Sequence, residues 1–299
     1  MKVAVTGSSG LIGQALVTAL HADGHAVARL VRRATRAPDE VRWDPTGGGL
    51  DPAALVDVDA VVHLSGAGVG DHRWTEQYKR VLYDSRIEST RAVVTAMLAA
   101  GRDGAGPRTL LCASAVGWYG DTSDRVMDET APAGDTFLAG ICRDWEAATE
   151  PAAEAGIRVA RMRSGLVLSR RGGLLGKVLP LFRLGLGGRL GHGRQYWPWI
   201  SLADEIGAIT YLLSEDVHGP VNLTGPEPVT NAEFTRRLGR AVHRPAVAWV
   251  PRSALRVVLG EFAKESLGSQ RAVPSVLESA GYRFQHPNID TALAWAVEN

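Results

Sequence analysis

The chain has 299 residues, 45% hydrophobic, 22% charged and 6% aromatic, ordinary globular proportions that exclude a disordered or fibrous protein. Lysine and arginine total 33 against 32 acidic residues, and a formal charge of +1 gives no electrostatic argument for a nucleic-acid or anionic-membrane partner. Two cysteines, Cys112 and Cys142, make neither a disulfide framework nor a CxxC pair.

The N-terminus opens directly as a strand, Lys2–Thr6. No basic, apolar and cleavable leader precedes it and no apolar run reaches spanning length, so a soluble, cytoplasmic protein is expected. Gly7–Gly13 follows at once, then an apolar helix pattern from Leu11 to about Asp23. His25–Val31 reads as a second strand, Val41–Asp44 as a short third and Ala60–Leu64 as a fourth. A long helix is predicted over Thr75–Ala100, ended by Gly101–Pro107, with a fifth strand at Arg108–Ala113. Gly120–Pro132 is a polar loop, Phe137–Ala155 a helix interrupted near Pro151, and Ile157–Met162 a sixth strand. This alternation predicts an α/β fold, a Rossmann-like doubly wound parallel sheet over residues 1–165. Residues 166–299 read as a smaller, mixed substrate-side lobe. It holds helices at Leu174–Leu184 and Leu202–Leu213, a strand at Gly219–Leu223, and further helices at Thr230–Val242, Ala254–Leu259 and Ile289–Val297. Thr230 and Glu233 have capping-box spacing.

Thr6-Gly7-Ser8-Ser9-Gly10-Leu11-Ile12-Gly13 lies between a strand and a helix. Gly7 suits the tight turn, Gly10 a close approach of backbone to a pyrophosphate, and Gly13 close packing of helix on strand. The helix start at Leu11 and Ile12 offers N–H groups to phosphate. A tight structural turn is the plainer alternative. At the end of the second strand an NAD site usually has a carboxylate. Here Val31, Arg32 and Arg33 stand there, with no acid before Asp39. Arg32 suits a 2′-phosphate, which favours NADP(H); a solvated arginine pair is the other reading.

TGSSGLIG, DAVVHLSGAGVG and SAVGWYG resemble the extended short-chain dehydrogenase/reductase superfamily. Four longer stretches resemble its SDR39U-type, NAD-dependent epimerase/dehydratase-like subgroup. They are Arg73–Thr90, Phe137–Ala148, Gly185–Glu205 and Gly219–Phe234. The resemblance implies NADP as cofactor, with Gly7, Gly10 and Gly13 at the phosphates and Val31 and Arg32 at the adenosine ribose. It puts Leu64 and Ser65 on the adenine side, Arg86 and Val81 on a helix facing the cofactor, and Leu166 near nicotinamide. By analogy with the fold, a homodimer is expected.

Hydride chemistry in that superfamily uses Ser, Tyr and Lys, with Tyr and Lys at i and i+4 on one helix face. Ser114 fits the serine, directly after the fifth predicted strand. The Tyr-x-x-x-Lys pair is absent: the register puts Cys142 at the tyrosine and Glu146 at the lysine. Tyr119 is the nearest tyrosine, on the preceding loop. A thiol can exchange a proton, but a neighbouring carboxylate raises its pKa where a lysine would lower it. Asp121, Tyr119 or a bound water are alternative proton carriers. Gln195-Tyr196-Trp197-Pro198-Trp199, with Arg194, reads either as a ligand-stacking segment or as packing. No His, Cys, Asp or Glu grouping has metal spacing. Two functions follow: an NADP(H)-dependent oxidoreductase or epimerase acting on a small carbonyl or sugar-like substrate, or a non-catalytic NADP(H)-binding sensor.

Overall fold

The computed structural model describes residues 1–101 and 106–299. Residues 102–105 of the turn expected at Gly101–Pro107 lie outside that description. Seven strands form the central sheet: β1 (Lys2–Thr6), β2 (Ala26–Val31), β3 (Glu40–Arg42), β4 (Ala60–His63), β5 (Thr109–Ala115), β6 (Arg158–Ser164) and β7 (Gly219–Leu223). They pair in parallel throughout, in the order β7-β6-β5-β4-β1-β2-β3. The direction of winding reverses between β1 and β4, which opens a crevice at their carboxyl ends.

The strands are apolar on both faces because helices cover both. On one face lie α1 (Leu11–Ala22) and α6 (Leu202–Ser214), and on the other α2 (Glu76–Ala100), α3 (Phe137–Ala147) and α4 (Glu150–Glu154); α5 (Gly173–Arg183) and α7 (Asn231–Ala241) pack on each other in a separate cluster. Side chains alternate along β1. Val3 and Val5 join Leu16, Leu20, Ile206 and Ile209 of α1 and α6, whereas Ala4 shares the opposite core with Leu82, Val93 and Met97 of α2. Each fully buried aliphatic side chain of this kind contributes about 1.5–3 kcal/mol. A third cluster joins Leu175 and Leu179 of α5, Phe234 and Leu238 of α7, and Leu293 of the C-terminal helix Ile289–Glu298.

The structure differs from the sequence expectation in several places. Gly219–Leu223 is the edge strand of the central sheet and α6 packs on α1, so the chain beyond residue 165 returns to the main layer. β5 and β6 end two residues later than expected, which places Ser114 inside β5. The interruption expected near Pro151 is present: Thr149 folds back on the Glu146 carbonyl, and Pro151 sits in the first turn of the second helix. Thr230 caps α7 through the Glu233 N–H, but the Glu233 carboxylate pairs with Arg237 and does not close the box. Among the described residues no helix is long and apolar enough to cross a membrane.

Candidate functional site

The turn after β1 can be built only with glycine at two positions. Gly7 has φ of +63°, and a Cβ there would lie 2.7 Å from the Leu64 carbonyl oxygen. A Cβ on Gly13 would lie 2.2 Å from the Gly7 oxygen. The Gly10 N–H closes the turn on that same oxygen at 2.9 Å. Gly10 is the N-cap of α1 and supplies no side-chain cap. The first-turn N–H groups at Leu11 and Ile12 thus border a cavity of about 390 Å³. Its lining also includes Leu64 after β4, Ser114 on β5, Ser164 at the end of β6 and Gly165 and Leu166 just beyond it.

A buried polar relay fixes the floor. His63 lies between the Thr6 hydroxyl, 2.8 Å from Nδ1, and the Ser89 hydroxyl, 3.2 Å from Nε2. The Ser89 hydrogen goes to the Ser85 carbonyl, so Nε2 carries the imidazole proton and Thr6 donates to Nδ1. Burial pushes the His63 pKa down to about 3, so the ring is neutral. Thr6 also accepts the Leu64 N–H at 2.9 Å. His63 is therefore a packing residue that ties β1, β4 and α2 together beneath the cavity.

At the adenosine-ribose end the two arginines have separate fates. Arg33 grips Glu40 with Nη1 to Oε2 at 2.8 Å and Nη2 to Oε1 at 2.6 Å. That fork and the Arg36 N–H hold the Glu40 pKa down to about 2. Val31 is half-buried at the end of β2; Arg32 is exposed and, among the described residues, has no ion-pair partner. Ser65 is half-buried on the same rim. Arg86 donates to the Leu82 and Ala67 carbonyls, each at 2.9 Å, and stacks 5.1 Å from the Trp145 ring. It braces the loop just beyond Ser65. Val81, 44% exposed, is outside the cavity lining.

The expected catalytic positions form one buried network. Ser114, Arg163 and Asn222 are register neighbours across β5, β6 and β7, and parallel partners face the same side. Ser114 donates to Glu146 Oε1 at 2.7 Å. Arg163 binds the same carboxylate twice, Nε to Oε1 at 2.8 Å and Nη2 to Oε2 at 2.9 Å. The Arg163 guanidinium also stacks 3.9 Å from the Trp118 ring and donates to the Tyr119 hydroxyl at 3.2 Å. Tyr119 in turn donates to Asn222 Oδ1 at 2.7 Å.

Ser114 alone of the four expected catalytic residues lines the cavity. Tyr119 is buried, and burial raises its pKa to about 12. Cys142 packs against the end of β5, its sulfur 3.7 Å from the Ala115 carbonyl; burial, reinforced by Glu146, raises that thiol to about 12 as well. The Cys142 position thus holds a protonated packing thiol. The Glu146 carboxylate meets a buried cation from β6, Arg163, which requires an anion opposite. Arg163 and Asn222 escaped the sequence reading. The signal was an arginine in a strand otherwise buried on that face, which demands a buried acid.

On the substrate side, Trp199 is buried with its Nε1 on the Glu227 carbonyl, and Trp197 packs edge-on to Phe234. Those two rings serve packing. Gln195 is buried with Nε2 on the Leu190 carbonyl. Tyr196 lies beneath the Arg271 guanidinium, 4.8 Å away.

A family model described as NAD dependent epimerase/dehydratase family matches residues 3–224, which spans β1 through β7 and every residue of this site. The chain belongs to that family. A second model, a domain of unknown function (DUF1731), matches residues 250–296. Epimerase family protein MT2273 of Mycobacterium tuberculosis is 52% identical over 297 residues, covering 99% of this chain and 97% of that protein. The human epimerase family protein SDR39U1 is 34% identical, covering 98% of each. Its crystal structure (isoform2) with NADPH matches with a TM-score of 0.90 at 33% identity and 100% coverage of both chains. A nucleoside-diphosphate sugar epimerase from Corynebacterium glutamicum matches with a TM-score of 0.81 at 34% identity, over 99% of this chain and 58% of that one. The family's NAD-dependent epimerase character and SDR39U-type relatives agree with the resemblance read from the motifs.

Proposed function

We propose that the chain binds NADP(H) across the carboxyl edge of its sheet and acts as an oxidoreductase or epimerase-like enzyme on a small carbonyl or sugar-like substrate. The observation that carries this reading is the pairing of an uncapped glycine turn beside a cavity with an arginine, Arg32, left free at the end of β2. The NADPH in the crystal structure of the human relative supports the choice of cofactor.

The residues fit the group. Gly7 and Gly13 make the tight turn and its close packing, Gly10 leaves bare backbone for a pyrophosphate to approach, the N–H groups at Leu11 and Ile12 meet its charge, and Arg32 suits a ribose 2′-phosphate. Leu64 and Ser65 would border the adenine side and Leu166 the nicotinamide side. When bound, the nicotinamide supplies hydride transfer. Ser114 does the work of orientation: its hydrogen is held by Glu146, so its lone pairs face the cavity and accept a hydrogen bond from a substrate hydroxyl. Arg163 fixes Glu146, and with it the direction of the Ser114 hydroxyl. Proton exchange by a tyrosine paired with lysine has no counterpart here.

Titration of the protein with NADPH by calorimetry tests the binding. Saturable binding at one site per chain supports the reading; its absence refutes it. Loss of reduced-nicotinamide absorbance with a panel of carbonyls and nucleotide sugars tests the chemistry. A second reading, a non-catalytic NADP(H) sensor, is favoured by the engaged Tyr119 hydroxyl and buried Cys142 thiol. Tight binding with no turnover on any member of the panel would select it.

A further inference from the structure

Glu205 takes no part in the network above. It stands in the first turn of α6, 1% exposed, on the face of the sheet opposite Glu146. Oε1 accepts the Ser164 hydroxyl at 2.6 Å, while Oε2 is buried without a hydrogen-bond partner. Among the described residues no cation pairs with it. Burial raises the Glu205 pKa to about 7, against the opposing pull of Ser164.

The groups around it offer no compensating charge. Helix α1, packed on α6, carries only His21 as an ionisable side chain, at its far end. On β6, Arg158, on the Ser164 face, donates to the Leu212, Leu213 and Val217 carbonyls at and beyond the far end of α6, while Arg161 and Arg163 face the other side and pair with Glu150 and Glu146. The neighbouring strand Leu166–Leu168 has no charged residue. Asp204, next in the chain, binds the Ser201 hydroxyl and the Gln285 and His286 N–H groups, with the His286 ring 3.3 Å away. Tyr282 donates to the Asp204 carbonyl. Among the described residues, Ser164 is thus the one hydrogen-bonded partner of the Glu205 carboxylate, and Ser164 itself lines the cavity.

We propose that Glu205 and Ser164 form a proton-gated binding pair for the cofactor: a protonated Glu205 frees the Ser164 hydrogen to bind a cofactor oxygen. A hydroxyl has one hydrogen. With Glu205 ionised, that hydrogen belongs to Oε1, and Ser164 shows the cavity only lone pairs, which repel phosphate or carboxamide oxygens. With Glu205 protonated, the carboxyl donates to Ser164 Oγ and the serine hydrogen turns to the ligand. The incoming negative charge also disfavours a buried carboxylate. Binding therefore draws one proton from solvent onto Glu205. This inference rests on the NADP(H) reading of the cavity.

The test is calorimetric titration of the full chain with NADPH, in buffers of different ionisation enthalpy at fixed pH. Above the Glu205 midpoint, binding to the wild type takes up close to one proton, and affinity falls about tenfold per pH unit. Glu205→Gln keeps the shape and supplies a permanent donor to Ser164, so it binds without that uptake and with the slope removed. Comparing the two proteins cancels protons carried by the 2′-phosphate itself. Ser164→Ala lowers affinity about fivefold below neutrality by removing the donor. Infrared spectra of the free protein give an independent readout: a protonated carboxyl band present at pH 6, lost at pH 9 and absent from Glu205→Gln. Equal proton uptake in wild type and Glu205→Gln would overturn the inference and leave the cofactor reading standing. Absence of NADPH binding would overturn both.

Discussion

Glu146→Ala probes the buried network around Arg163. In the wild type, Arg163 is 2% exposed and Glu146 6% exposed. The mutation removes all three hydrogen bonds that end on the carboxylate, from Ser114 Oγ, Arg163 Nε and Arg163 Nη2. Arg163 keeps the Tyr119 hydroxyl at 3.2 Å, the Glu129 carbonyl at 3.3 Å and the face of Trp118. None of these carries a negative charge. Leaving one member of a buried pair unmatched costs about 3–5 kcal/mol, and that is the predicted loss of stability. Glu146→Gln preserves shape and one acceptor, so about half of that loss is expected. Glu146→Lys places a second cation beside Arg163 and is predicted to be the worst of the three. The assay is urea unfolding followed by far-ultraviolet circular dichroism and by tryptophan fluorescence, with the midpoint shift read at constant slope. Combined with Arg163→Met, Glu146→Ala should cost much less than the sum of the single changes. A loss below about 1 kcal/mol for Glu146→Ala alone would refute the claim that this pair is interdependent.

Gly13→Ala forces a Cβ to 2.2 Å from the Gly7 oxygen, so it should destabilise by about 1–3 kcal/mol and abolish NADPH binding in a calorimetric titration. Glu205→Gln carries a signed pH dependence. The folded carboxyl has its pKa raised from 4.5 to about 7, so the folded state binds the proton more tightly and wild-type stability falls as pH rises through that window. The mutant, measured by denaturant unfolding, should gain up to about 3 kcal/mol relative to wild type between pH 5 and pH 8. Cys142→Ala should leave NADPH affinity unchanged, and both buried thiols of the folded wild type should react slowly with a thiol reagent.

The parts of the site that follow one another in the chain were legible in the sequence. The run from Lys2 to Gly13 shows a strand, a turn and a helix with glycines at the places where the structure leaves no room for a Cβ. The β2 end showed its arginines, although which of the two is free depends on Glu40, brought beside Arg33 by the pairing of β2 with β3. What escaped was non-local. Asn222 reaches Tyr119 only because β7 pairs with β6 across the whole of α5 and α6. Arg163 and Glu146 lie 17 residues apart on different elements, and no local periodicity reports that they meet. Glu205 stands in the first turn of α6, where an acid is commonly exposed and favoured by the helix dipole; the packing of α6 onto α1 buries it instead. Cys142 shows the opposite failure, while Trp199 takes the packing alternative of its segment. Residue types suited to chemistry or stacking serve as packing, because helix α3 and the strand Trp199–Ser201 turn them inward.

The central claim, that a phosphate-bearing dinucleotide lies on the glycine turn and is selected by Arg32, is tested most directly by comparing NADPH and NADH affinities of wild type and Arg32→Ala in parallel calorimetric titrations. A free guanidinium meeting a 2′-phosphate predicts a preference of at least about tenfold for NADPH in the wild type. Arg32→Ala should erase it while leaving NADH affinity as it was. Equal affinity for the two cofactors in the wild type, or an unchanged preference in the mutant, would contradict it.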